Sequence, residues 1–150
     1  MERKLAIITG ADGGMGMEIT RAVAREGYAV IMACCSLSKA EPKCRELAKE
    51  TGNKNMEVWE IDLASLASVK TFANRVLQRN TSIALLMNNA GTMETGLHIT
   101  EDGLERTVSV NYVGPCLLTR LLLPLMGQGT RIVNMVSCTY AIGKLDFPDF

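Results

Sequence analysis

The segment "LAIITGADGGMGMEITRAV", residues 5–23, passes from an apolar run through four glycines into a stretch that alternates apolar and charged residues. Residues 4–9, "KLAIIT", read as a buried strand. Beyond the glycines, Met15, Ile19, Ala22 and Val23 recur at helical spacing, with Arg21 and Arg25 on the other face. A backbone without Cβ atoms at Gly10, Gly13, Gly14 and Gly16, turning sharply into a helix, presents bare amide N–H groups at the positive end of the helix dipole. Such a point suits a pair of phosphates. Two common phosphate loops are excluded by spacing. GxxxxGK[ST] fails because Met15 follows the four residues after Gly10, with no lysine behind it. GxGxxG, counted from Gly14 and Gly16, puts Ile19 in third place. What remains is TGxxxGxG, carried by Thr9, Gly10, Gly14 and Gly16; the loop alone also allows a glycine-rich turn with no ligand.

Four more strands follow: "YAVIMAC" (28–34), "MEVWEIDL" (56–63), "SIALLMNN" (82–89) and "TRIVNMVS" (130–137), the last entered through the turn "GQG". Gly27 ends the first helix, and the charged segment from Lys39 to Lys49 reads as a solvated one. Ser65 caps a third helix with the apolar stripe Leu66, Val69, Phe72, Ala73, Val76 and Leu77. Residues 103–126 read as helical, kinked or divided by Gly114, Pro115 and Pro124. Continuous apolar strands separated by helix-length segments imply an α/β fold, a parallel sheet covered on both faces. Right-handed crossovers order it 3-2-1-4-5, a Rossmann-like doubly wound sheet in one domain over residues 1–150. Ligands of such sheets sit outside the carboxyl ends of the strands. Here those ends carry "TGADGGMG", "ACCS", "IDL", "MNNAG" and "VSC", all on one edge.

The chain has 150 residues, 47% of them apolar, enough for a single core. Its 16 basic and 16 acidic residues cancel, which argues against a nucleic-acid surface or an acidic tail. Uninterrupted apolar runs fall short of the roughly 18–20 residues of a bilayer span, so no membrane segment is expected. Five cysteines, Cys34, Cys35, Cys44, Cys116 and Cys138, show neither a CxxC pair nor metal-ligand spacing. They read as reduced thiols of a cytoplasmic protein with no metal site. His98, the sole histidine, reads as a solvated loop residue.

The TGxxxGxG loop resembles that of the short-chain dehydrogenase/reductase family, and other motifs repeat the resemblance in order. "IDL" at 61–63, "NNAG" at 88–91, "SVNYVGP" at 109–115 and "RIVNMVS" ending at Ser137 occupy the expected places. The resemblance implies an oxidoreductase that passes hydride between NADP or NAD and a small carbonyl or secondary-alcohol substrate. It assigns Thr9, Gly10, Gly14, Met15, Gly16, Cys35, Asp62, Leu63, Asn89, Ala90 and Gly91 to the cofactor, and Asn111 and Ser137 to catalysis. Asp62 would accept from the adenine amino group, with the Leu63 amide reaching the ring. Taken singly, Asp62 also fits a strand-end cap, and the asparagines fit loop-tying roles.

In the family a tyrosine and a lysine four residues later move the proton. Tyr140 and Lys144 have that spacing, but Tyr140 lies only three residues after Ser137, too few for the chain to turn and return on a helix. The segment "VSCTYAIGKLDFPDF" instead looks like the loop of the retinol-dehydrogenase-like branch, in which the YxxxK pair comes later. The 150 residues are therefore expected to be the N-terminal part of a longer enzyme; the alternative is a dinucleotide-binding chain without turnover. Cys34 and Cys35 stand where an NAD-specific member carries an acid and the related branch an arginine. This leans the expectation to NADP, with Ser36 or Lys39 as substitutes and Asp12 working weakly against it. A methyltransferase, which needs an acidic residue after the second strand, is disfavoured. The substrate and homo-oligomerisation are left open.

Overall fold

In the computed structural model, which describes residues 4–143, the apolar runs become five parallel strands. They are β1 (Leu5–Thr9), β2 (Ala29–Cys34), β3 (Met56–Glu60), β4 (Ile83–Asn88) and β5 (Met126–Asn134), in the order β3-β2-β1-β4-β5. Every residue of β1 is buried, because helices cover both sides of the sheet. Successive strand residues point to opposite faces. Leu5, Ile7, Ile31 and Ala33 pack with Val69, Phe72, Val76, Leu118 and Leu122 on one face. Ile8, Val30, Met32 and Cys34 pack with Ala24, Ala40, Cys44 and Leu47 on the other. The first set meets α3 (Leu66–Arg79); the second meets α1 (Gly14–Arg25) and α2 (Leu37–Thr51).

Some boundaries differ from the sequence reading for local reasons. β3 stops at Glu60 rather than Leu63: the Asp62 amide donates to Ser68 Oγ, and Asp62 Oδ1 accepts from the Ala64 amide, so the chain turns before α3. α2 runs from Leu37 to Thr51, longer than the charged segment, and passes through Pro42. β5 begins at Met126 and ends at Asn134, and "GQG" lies inside it as a bulge. Register jumps there from Ile83↔Met126 to Leu85↔Arg131, and Thr130 Oγ1 holds the bulge by donating to the Ile83 carbonyl at 2.7 Å.

Residues 106–125 form a continuous helical run, in which the expected kink or division takes the form of changes in helix type around Gly114, Pro115 and Pro124. It comprises α4 (Arg106–Val108), a π-helical turn (Ser109–Val113), α5 (Gly114–Leu122) and a final 3₁₀ turn (Leu123–Leu125). Pro115 has no N–H for the Asn111 carbonyl, and the chain widens into the π turn, where the Gly114 amide bonds Ser109 O, instead of breaking. By length and composition alone this 20-residue run is long and apolar enough to cross a membrane. The expectation of no membrane segment rested on uninterrupted apolar runs, and this run is broken by Arg106, Ser109, Asn111, Thr119 and Arg120; its length and composition neither bear that expectation out nor overturn it. Leu118 and Leu122 of the run are fully buried in the sheet core, whereas Tyr112 and Leu123 are exposed.

Candidate functional site

The carboxyl ends of β1 to β4 and the start of the π turn surround a cavity of about 450 Å³, within the usual range for a small-ligand site. Its floor is the glycine loop. α1 starts at Gly14 with Gly13 as N-cap and no side-chain cap, and the Met17 amide donates to the Gly13 carbonyl at 2.8 Å. The amides of Gly14, Met15 and Gly16 are thus the orphan donors of a helix N-terminus, and all three residues line the cavity. The tight turn depends on missing side chains. A Cβ on Gly16 would lie 2.0 Å from the Gly10 carbonyl oxygen, and one on Gly10, at φ +60°, would lie 2.9 Å from Ala90 Cα.

Loops from the other strands are tied to this floor. Thr9 Oγ1 accepts from the amides of Asn89 and Ala90 at 3.0 Å each, and Asn89 Nδ2 donates to the carbonyls of Thr9 and Gly10. The Asn111 side chain closes a two-bond clamp on Thr92, donating to its carbonyl and accepting from its amide, both at 2.8 Å. Ser109 Oγ donates to the Leu63 carbonyl, and Gly114 lets the helix approach that same carbonyl. The edge is therefore one hydrogen-bonded frame. Its bare amides, absent Cβ atoms and apolar wall of Ile61, Leu63 and Val110 fit an elongated anionic ligand carrying a flat ring.

Electrostatics at the end of β2 separate the two adjacent cysteines. Burial, reinforced by the Asp12 carboxylate, pushes the Cys34 thiol up to about 12. Cys34 is a neutral packing group, and its exposed neighbour Cys35 faces the cavity. At the mouth, Arg106 Nε pairs with Glu94 Oε1 at 3.2 Å.

Thr9, Gly10, Gly14, Met15, Gly16, Cys35, Asp62, Leu63, Asn89, Ala90 and Gly91 all line this one cavity. Asp62 also acts as the turn cap described above, with one carboxylate oxygen engaged. Asn111 and Ser137 do not line it. Asn111 stands at its rim through Thr92, and Ser137 follows β5 on the same edge, its Oγ accepting from the Thr139 amide and hydroxyl. No hydrogen bond among the described residues joins the two. Lys144 lies outside the described residues, and so does the expectation that Tyr140 and Lys144 are not the family's tyrosine and lysine pair. Sequence reasoning missed Thr92, Arg106 and Val110 as lining residues. Thr92 directly follows "NNAG", a usable signal; Arg106 and Val110 arrive only through tertiary folding of the helical run. Among the described residues no group of three or more His, Cys, Asp or Glu could hold a metal ion.

The pattern of the short chain dehydrogenase family matches residues 4–146. Human retinol dehydrogenase 13 is 36% identical over 148 residues, a match covering 97% of this chain and 45% of that protein. An uncharacterized protein from Mycobacterium Paratuberculosis superposes with a TM-score of 0.84 at 35% identity, covering 97% of this chain and 50% of its own. A short-chain dehydrogenase from Sphingobium yanoikuyae, solved in complex with NADPH, gives 0.69 at 26% identity, covering 81% and 48%. The chain spans about half the length of these relatives. With the family pattern running through nearly all of it, on a sheet of the order 3-2-1-4-5, the chain belongs to the short-chain dehydrogenase family.

Proposed function

We propose that this chain forms the dinucleotide-binding part of an NAD(P)-dependent oxidoreductase acting on a carbonyl or secondary alcohol. The observation that carries the reading is the cavity at the carboxyl edge, floored by the uncapped amides of Gly14, Met15 and Gly16. In this reading those amides hold the pyrophosphate, Asp62 and Leu63 take the adenine, and Asn89, Ala90 and Gly91 lie along the adenosine side. A nicotinamide dinucleotide, when bound, supplies or accepts the hydride. Ser137 holds the substrate oxygen by hydrogen bonding, and Asn111 fixes the loop at Thr92 that forms the far wall. NADP is favoured over NAD, because Cys35 rather than a carboxylate meets the cavity beyond β2, so nothing at that position repels a 2′-phosphate. A cytoplasmic location belongs to the same reading, and cell fractionation checks it.

Fluorescence titration with NADPH and NADH tests binding. Saturable binding with the tighter constant for NADPH is expected; absence of both removes the reading, and tighter NADH reverses the cofactor preference. A second reading, dinucleotide binding without turnover, draws on the cavity lining, which contains no tyrosine or lysine among the described residues. Carbonyl-dependent NADPH oxidation separates the two.

A further inference from the structure

Lys43 reaches from the second turn of α2 to the glycine loop, where its Nζ donates to the Asp12 carbonyl at 2.6 Å. The other end of that peptide unit is held too, since the Gly13 amide donates to the Gly10 carbonyl at 3.2 Å. A trans peptide directs its C=O and N–H to opposite sides. With both ends engaged, the plane of the 12–13 peptide is set, and it immediately precedes the three bare amides. Gly13 itself has no side chain to pin the turn, and it makes no side-chain cap bond to α1. Asn89 fastens the loop from the β4 side through the Thr9 and Gly10 carbonyls; Lys43 is the fastening from the α2 side.

We propose that Lys43 is a positioning residue for dinucleotide binding, holding the Asp12–Gly13 peptide so that the amides of Gly14, Met15 and Gly16 converge on the pyrophosphate. This rests on the reading of the cavity as a dinucleotide site. The ammonium acts through the loop rather than on the 2′-phosphate, so NADPH and NADH depend on it equally. Lys43 is absent from the cavity lining, while Asp12 and Gly13 belong to it.

The test compares wild type, Lys43→Met and Lys43→Arg in the full chain. Methionine keeps an apolar stem and removes the donor; arginine restores a donor of similar reach. Lys43→Met is expected to raise the dissociation constants of NADPH and NADH by a similar factor, about tenfold or 1.4 kcal/mol, and Lys43→Arg to recover most of the loss. Amide hydrogen exchange at Gly13, measured without ligand, is expected to accelerate in Lys43→Met and return toward wild type in Lys43→Arg. Unchanged binding in Lys43→Met, a loss confined to NADPH, or an unchanged Gly13 rate overturns the proposal. Should wild type bind neither dinucleotide, the reading of the cavity fails, and the ligand-free exchange rate still decides whether Lys43 holds the loop.

Discussion

At the scale of single residues, neighbouring glycines carry different constraints. A Cβ on Gly16 collides with the Gly10 carbonyl oxygen at 2.0 Å, whereas one on Gly14 meets nothing within 4 Å. Gly16→Ala must displace backbone, at a cost of about 1–3 kcal/mol, and it opens the turn that presents the amides. Gly14→Ala, at the first position of α1, has room and gains helix propensity. Denaturant unfolding should show Gly16→Ala destabilised and Gly14→Ala within about 0.5 kcal/mol of wild type. The paired cysteines give a second contrast. Cys34 is folded as a neutral thiol whose ionisation is pushed up to about 12, from 9.0 for an unperturbed thiol. Between those values the unfolded chain releases the proton and the folded chain keeps it, so the folded state loses stability as pH rises from about 9 toward 12. Cys34→Ala should flatten that alkaline slope in urea titrations run at successive pH values. At pH 8 a thiol-alkylating reagent should label Cys35 in the native protein and leave Cys34 unmodified, which peptide mass mapping reads directly.

At the scale of elements, the sheet's amino edge depends on one asparagine. Asn53 is 8% exposed; its Nδ2 donates to the carbonyls of Ala24 and Tyr28, and its Oδ1 accepts from the Asn55 amide. It joins the end of α1, the entry to β2 and the entry to β3. Asn53→Ala leaves two carbonyls and one amide without this partner and should lower stability by about 2–4 kcal/mol in equilibrium unfolding. This side chain carries no periodic signal in "TGNKN" and is not legible in the sequence, since its partners lie 25 and 29 residues away. The five strands are legible because each is an apolar run with turn residues at its ends, but their limits are not. β3 ends early because Asp62 and Ser68 build a local turn. The run 106–125 stays helical through Pro115 because a π turn supplies the adjustment that a straight α-helix lacks. Both outcomes come from hydrogen bonds that residue spacing does not encode.

At the scale of the whole molecule, the glycine-loop side of the candidate site is more legible than the side that carries Asn111 and Ser137. Backbone chemistry at strand ends depends on glycines and short polar motifs, and the parallel topology brings those ends together once the strand order is known. Asn111 and Ser137 sit instead on the helical run and beyond β5, where exposed Tyr112, Ile132, Val133 and Val136 show that less of the molecule packs around them. Five segments distant in sequence, ending β1 to β4 and opening the π turn, share one cavity, so a ligand filling it touches every layer of the fold at its carboxyl edge. Binding stabilises the folded state in proportion to occupancy, by about 2.7 kcal/mol at a hundredfold excess over the dissociation constant. Local protection should follow the same geometry. With saturating NADPH, hydrogen exchange should slow at residues 9–16, 33–36, 61–64 and 89–92, where opening requires breaking contacts to the ligand. Residues 52–55, at the opposite edge around Asn53, should slow only as far as global stability rises. Protection spread evenly over both edges, or confined to residues 52–55, would mean that the dinucleotide sits elsewhere and that the amides at the start of α1 are held by the fold alone.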